Sequence, residues 1–146
     1  MLTAGSATGL MLRAVLDTNV VVSAHLKPGG REAQIFLLAL AGMFQMCVSE
    51  PLMEEYEGVL QRARLGLAPK KIGDSLRAIR RSADLVHPQE SLHVTRDPED
   101  NKVLECAVSA GADYLVTGNL RDFPAHFQGI KVVSPREFQS ILAGEG

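Results

Sequence analysis

The chain has 146 residues, which is the length of a single domain. Hydrophobic residues make up 46% of it and charged residues 22%, so the composition excludes a disordered chain and allows a buried core. Lys and Arg number 15 against 17 Asp and Glu, and this near balance argues against a polybasic tail or a simple cationic coat for nucleic acid.

The charges are unevenly distributed along the chain. Residues 62–81 contain seven bases and one acid, Asp74, which is a net charge of +6. The rest of the chain has eight bases and sixteen acids, a net charge of −8. The balanced total therefore conceals a basic segment and an acid-rich remainder.

The compartment and the ends of the domain follow from a few further features. Cys47 and Cys106 each lie in an apolar run without metal-type spacing, which predicts two buried free thiols in a reducing compartment. No apolar run approaches the ~20 residues of a membrane helix, and the N-terminus lacks a signal-peptide pattern, so we expect a cytoplasmic protein without membrane association. We expect residues 1–12 to be a leader without fixed structure and a single domain to span residues 13–143, with Met11 as an alternative start.

The first half of the chain alternates short apolar runs with helical patterns. In chain order we predict a strand at 13–16 ending at Asp17, a short helix at 20–26, a helix at 31–41, a strand at 44–48, a helix from Ser49 that frays near Gly66, and a helix at 69–82. Ser49 has the residue type and position of a helix N-cap.

The second half repeats this alternation. We predict a short strand at 84–87, a polar loop at 88–97, a helix from Pro98 to Gly111, strands at 114–117 and 130–133, and a last helix that Ser134 and Pro135 open. Apolar strands that alternate with helices predict an α/β fold, a three-layer α/β/α sandwich with a central, mostly parallel sheet of four to five strands.

Acidic and amide side chains recur where the predicted strands end or the next helices begin. They are Asp17, Glu54, Glu55, Asp97, Glu99, Asp100, Asn119 and Asp122. Sites in open parallel sheets form at the carboxyl ends of strands, and Mg²⁺ and Mn²⁺ prefer oxygen ligands. Each acid taken alone could instead cap a helix, offset a helix dipole or face solvent, so their co-occurrence carries the prediction of a metal site.

Four segments in order resemble the motifs of PIN-domain ribonucleases, particularly the VapC-type toxins. They are 15–20 (VLDTNV), 49–56 (SEPLMEEY), 97–107 (DPEDNKVLECA) and 113–123 (DYLVTGNLRDF). The likeness extends over residues 13–142. It implies a PIN-like fold.

The resemblance also implies a set of site residues. Asp17, Glu55 and Asp100 would be the metal-binding acids, with Glu55 favoured over Glu54 because the family glutamate lies six residues after the strand-end Ser or Thr, here Ser49. Asn119 stands where the family often has Asp, which leaves a second metal open, and Asp122, three residues further on, would be a partial substitute. Groups that would support the acids or contact phosphate are Thr18, Asn19, Ser23, Asp97 and Thr117.

The implied activity is Mg²⁺- or Mn²⁺-dependent endonucleolytic cleavage of single-stranded RNA, with an antitoxin and a second copy of the chain as partners. Such a cation activates water and offsets charge on a phosphodiester. Clustered carboxylates without a cation repel one another, so we expect raised carboxyl pKa values, and a loss of stability on metal removal.

The basic segment has three interpretations that the sequence leaves open. It could hold the RNA backbone, form an ordinary solvated helix face, or dock an acidic partner such as an antitoxin segment. Its bases are Arg62, Arg64, Lys70, Lys71, Arg77, Arg80 and Arg81.

Other classes fit less well. A phosphotransferase of haloacid-dehalogenase type needs Asp where Asn19 stands, and a Rossmann nucleotide binder needs a G-x-G-x-x-G motif, which is absent from the sequence. Two alternatives to a toxin stay open. One is a PIN-fold RNA-binding or scaffold protein whose site is weakened by Asn119, and the other is a housekeeping RNA-processing nuclease.

Overall fold

A computed structural model describes residues 11–144. The leader expected at 1–12 therefore lies outside the described residues except for its last two positions. Within the described part, the strands are β1 Arg13–Leu16, β2 Gln45–Val48, β3 Asp84–Leu85, β4 Tyr114–Val116, β5 His126–Phe127 and β6 Ile130–Val133. The α-helices are α1 Thr18–Leu26, α2 Arg31–Leu40, α3 Glu50–Leu60, α4 Pro69–Ser82, α5 Pro98–Ala110 and α6 Pro135–Leu142, and short 3₁₀ turns occupy Ala63–Leu65 and Leu120–Asp122.

The strands form one sheet in the order β3-β2-β1-β4-β6-β5. All neighbours are parallel except β5, which is antiparallel to β6. Helix α5 packs on β1, β2 and β4, and α6 packs on β6 and α2. The predicted fold class, an α/β sandwich around a mostly parallel sheet, is confirmed.

The described sheet has six strands where we expected four to five. Strand β3 lies within the strand predicted at 84–87, whereas β5 was not predicted, because its two residues are too few to show a periodic pattern. Strand β5 reaches β6 through a tight turn in which Gln128 and Gly129 both have positive φ. Helix α1 begins two residues before the predicted start, because the side chain of Asp17 accepts a hydrogen bond from the Thr18 amide and caps it.

The ends of the other helices follow the predicted local chemistry. Ser49 caps α3 by accepting from the Leu52 amide, and Ser134 forms a capping box with Glu137 on α6. Gly111 ends α5 in the left-handed conformation that glycine adopts without strain. Helix α3 ends at Leu60, well before the predicted fraying near Gly66.

The core consists of the inward faces of the strands and the apolar faces of the helices. Cys47 and Cys106 are free and buried in it, as predicted. Among residues 11–144, no helix has the length and hydrophobicity needed to span a membrane.

One buried hydrogen bond fixes α3 against the carboxyl end of β1. The hydroxyl of Tyr56, a fully buried side chain, donates to the carbonyl oxygen of Leu16 at 2.5 Å. Tyr56 follows Glu55 in α3 and Leu16 precedes Asp17, so this bond sets the relative position of two predicted site residues.

Tyr56→Phe should therefore lower the free energy of unfolding by about 1–2 kcal/mol, the cost of a lost buried hydrogen bond. Tyr114→Phe is the matched control, because Tyr114 packs on Phe138 and its hydroxyl makes no hydrogen bond to a described residue. Urea denaturation measures both variants. Equal losses in the two would contradict a specific role for the Tyr56 hydroxyl.

Candidate active site

A cavity of about 420 Å³ opens beside the carboxyl end of β1 and collects acids from three separate elements. Asp17 lies between β1 and α1, Glu55 lies on α3, and the remaining acids lie at the start of α5. We call this the acid cavity. Its polar lining consists of Asp17, Thr18, Asn19, Ser23, Glu55, Arg62, Asp97, Glu99 and Asp100.

Asp17 is a nearly buried carboxylate held by three donors. One oxygen accepts from the Thr18 amide at 2.8 Å, and the other accepts from the Thr117 hydroxyl at 2.7 Å and the Asn19 side-chain amide at 3.2 Å. Burial raises the pKa of Asp17, and these hydrogen bonds oppose that rise. The donors come from α1 and from the end of β4, so the carboxylate joins two neighbouring strand ends in one orientation.

Asp100 and Glu55 both have a pKa raised to about 7. Burial is the largest cause for each, followed by the charge of Asp17 for Asp100 and by a hydrogen bond with Glu99 for Glu55. The sequence predicted raised carboxyl pKa values in this cluster, and the directions are confirmed. It attributed them to repulsion alone, whereas desolvation contributes more.

The structure distinguishes Glu55 from its neighbour Glu54. Glu55 is half-buried and lines the acid cavity, whereas Glu54 is exposed and does not line it. The difference follows from the 100° that separates consecutive residues of a helix. Glu54 is therefore a matched control for Glu55.

Glu99 and Lys102 are members of the site that the sequence analysis did not single out together. The Lys102 ammonium contacts the Glu99 carboxylate at 3.1 and 3.3 Å. The hydrogen bond with Glu55, followed by that from Lys102, lowers the pKa of Glu99. The interaction between the two carboxyls therefore favours the protonated form of Glu55 and the ionised form of Glu99. The spacing of three residues between Glu99 and Lys102 on α5 was visible in the sequence, but the contact of Glu99 with Glu55 on α3 was not.

Asn101 is a second residue that the sequence analysis missed. It is buried, and its side-chain oxygen accepts hydrogen bonds from the Val94 amide, the Thr95 amide and the Thr95 hydroxyl. Asn101 therefore fixes the loop that leads into Asp97. An amide that directly follows two acids in the first turn of a helix was the available indication.

Asn119 and Asp122 lie next to the acid cavity rather than in it. Asp122 lines a neighbouring cavity of about 690 Å³, which we call the outer cavity and which also includes Asp97, Asp100, Arg96 and Arg121. The Asn119 side-chain amide donates to the Asp122 carboxylate at 2.6 Å. The Asp122 charge helps to raise the pKa of Asp17 and of Asp100. Asn119 itself is uncharged, but Asp122 places a negative charge next to it.

The basic segment reaches the acid cavity through Arg62 alone among its seven bases. Lys70 and Arg77 pair with Asp74, and Arg80 pairs with Glu50. The remaining bases, Arg64, Lys71 and Arg81, are exposed and do not line the acid cavity. Three of the seven bases therefore share two acidic partners, and the segment as a whole remains positively charged.

The donor set of the acid cavity suits a hard divalent cation. Asp17, Glu55 and Asp100 offer only oxygen ligands, and their pKa values are raised chiefly because burial disfavours the charged carboxylates. Within residues 11–144, no group of three or more Asp, Glu, His or Cys side chains is already arranged in a geometry that could hold a metal ion. A cation would bind Glu55 and Asp100 in their deprotonated forms, and so would have to displace the protons that their raised pKa values favour.

Comparison with known proteins identifies the family. The PIN domain model matches residues 13–121. The uncharacterized protein MJ1680 of Methanocaldococcus jannaschii is 26% identical over 141 residues, which cover 88% of this chain and 90% of the relative.

Two solved structures share the fold. The DNA-bound VapBC of Salmonella typhimurium matches with a TM-score of 0.61 and 21% identity, covering 86% of this chain and 99% of that chain. The VapBC2 of Rickettsia felis, bound to a promoter DNA fragment, matches with a TM-score of 0.58 and 15% identity, covering 84% and 98%. The family match extends over most of the chain and includes Asp17, Glu55 and Asp100. The chain belongs to the PIN-domain family.

Proposed function

We propose that this protein is a Mg²⁺- or Mn²⁺-dependent endoribonuclease that cleaves single-stranded RNA, and that it is the toxin of a toxin–antitoxin pair. The observation that carries the nuclease proposal is the convergence of Asp17, Glu55 and Asp100 from three elements on one cavity. The fold shared with chains of two VapBC complexes supports the toxin assignment. The same proposal includes binding of an antitoxin, association with a second copy of the chain, and a location in the cytoplasm.

The proposed chemistry assigns a task to each group in the cavity. Asp17, Glu55 and Asp100 would hold the cation, which when bound activates water and offsets charge on the phosphodiester. Thr117, Thr18 and Asn19 fix the orientation of the Asp17 carboxylate. Ser23 and Arg62 line the same cavity and can orient the RNA backbone, while Asp97 caps the start of α5 and so positions Asp100. Asn119 holds Asp122 beside the acids.

A second candidate function is an RNA-binding or scaffold protein with a weakened site. Asn119 favours it, because the resemblance places Asp there and the amide adds no charge. A housekeeping RNA-processing nuclease would use the same chemistry on another substrate. The cleavage experiment separates the nucleases from the scaffold.

We expect the purified protein to cleave a mixed-sequence single-stranded RNA pool with Mg²⁺ or Mn²⁺. Asp17→Asn, Asp100→Asn and Glu55→Gln should each slow cleavage by about 100-fold or more, because each removes charge that helps to hold the cation. Glu54→Gln should cleave at the wild-type rate, since Glu54 is exposed outside the cavity. Absence of cleavage by the wild type with either metal would contradict the proposal, as would equal cleavage by Asp17→Asn.

The pH dependence of stability gives an independent expectation. In EDTA the free energy of unfolding should fall as pH rises from about 5 to about 8. The folded protein retains protons on Glu55 and Asp100 up to a pKa of about 7, while the unfolded chain releases them near the ordinary values of 4.5 and 3.8. Proton binding thus favours the folded state at low pH, and this stabilisation disappears above the raised pKa.

Asp100→Asn should flatten this pH profile and raise the melting temperature at pH 8, because the amide neither ionises nor repels Asp17. Mn²⁺ should raise the wild-type melting temperature more at pH 8 than at pH 5, because the ligands must be deprotonated. Differential scanning fluorimetry measures both effects, with Glu54→Gln as control. A wild-type melting temperature that is constant from pH 5 to pH 8 in EDTA would contradict this account.

A further inference from the structure

A third cavity, of about 430 Å³, lies where the loop after β4 meets the N-terminal ends of α2 and α6. We call it the arginine cavity, because Arg31, Arg121 and Arg136 line it together with the single acid Glu32. These arginines come from three separate segments of the chain, none of them in the basic segment at 62–81. The sequence analysis assigned no role to them.

The three cavities lie side by side in a row near the carboxyl ends of β1, β4 and β6, and each shares lining residues with the next. The acid cavity and the outer cavity share Asp97 and Asp100, and the outer cavity and the arginine cavity share Arg121. Charge changes sign along this row, from clustered acids at one end to three arginines at the other. Asn119 lines the arginine cavity and holds Asp122 of the outer cavity, which connects the two physically.

The arginine side chains are available for an anionic ligand. Arg121 and Arg136 are exposed, and neither forms an ion pair with a carboxylate in the described part of the chain. Arg31 donates through Nε to the Gln139 side-chain oxygen at 2.9 Å, and the Gln139 amide donates to Gln34 at 2.7 Å. This relay holds the Arg31 guanidinium in place and leaves its terminal nitrogens free of that contact.

We propose that the arginine cavity binds a backbone phosphate of the RNA strand whose scissile phosphate lies in the acid cavity. This inference rests on the proposed nuclease function. A polyanion that crosses a cluster of carboxylates needs compensating cations nearby, and guanidinium groups match phosphate oxygens in geometry and charge. The lining residues that connect the arginine cavity to the acid cavity through the outer cavity favour the substrate over an acidic protein segment as the occupant. Among residues 11–144, no aromatic side chain lines the arginine cavity to stack on a base, so the proposed contact is with the phosphate backbone.

Binding of a fluorescein-labelled single-stranded RNA, measured by fluorescence anisotropy in EDTA at several salt concentrations, tests this proposal. Arg121→Gln and Arg136→Gln should each weaken binding by about tenfold, the loss expected for a charge-assisted contact. Each should also reduce the slope of log affinity against log salt by about 0.7, because one phosphate contact to a single strand is lost.

Lys131→Gln is the matched control, because it removes one exposed positive charge near the opposite end of β6. Circular dichroism establishes that each variant is folded. If both arginine variants bind RNA like Lys131→Gln, the proposal is overturned, and the arginine cavity becomes a candidate for an acidic protein partner. Weaker binding by the arginine variants supports the cavity even if the wild type does not cleave RNA, so the two proposals can fail separately.

Discussion

The buried carboxylate of Asp17 is the feature on which the rest of the site depends. It caps α1, and it receives the Thr117 hydroxyl from the end of β4 and the side-chain amide of Asn19. Asn19 in turn accepts from the Gly118 amide at 3.1 Å, so the loop after β4 is tied to the first turn of α1. A nearly buried charge is costly without partners, and these hydrogen bonds offset part of that cost. The remainder appears as a raised pKa in Asp17 and, through its charge, in Asp100.

The burial of the Asp17 carboxylate explains why the acid cavity is suited to a cation. The protein places several partly desolvated acids together, and a positive charge among them would favour their ionised forms. Lys102 supplies one such charge, but it pairs with Glu99 at the side of Glu55. Arg62 lies on the lining of the same cavity, in a position where it can meet a substrate phosphate. The net charge of −2 therefore combines an acidic centre with arginines distributed around it.

The sequence predicted those parts of the fold that local patterns determine. Strands β1, β2, β4 and β6 were predicted from apolar runs, and the caps at Ser49, Gly111 and Ser134 from residue type. Strand β5 was not predicted, because two residues in a hairpin have no period. The turn at Gln128 and Gly129 was its only local mark.

The same distinction holds for the site. The acids could be found because parallel strands bring their carboxyl ends to one edge, and each acid lies beside such an end. The Glu55 contact with Glu99 and the grouping of Arg31, Arg121 and Arg136 depend on segments far apart in the chain. The concentration of bases at 62–81 was a poor guide to the cavities, since Lys70, Arg77 and Arg80 have acidic partners on α3 and α4. Charge density along a sequence does not determine charge density around a site.

The central claim is that Asp17 and its neighbouring acids form a divalent-metal site. Anomalous X-ray diffraction from crystals soaked in Mn²⁺ tests it most directly, with Asp17→Asn crystals as the control. We predict an anomalous peak within metal-ligand distance of the carboxylates of Asp17 and Asp100 in the wild type, and no such peak in the variant. A wild-type crystal without a peak at these carboxylates, at a Mn²⁺ concentration that saturates the thermal stabilisation, would contradict the claim.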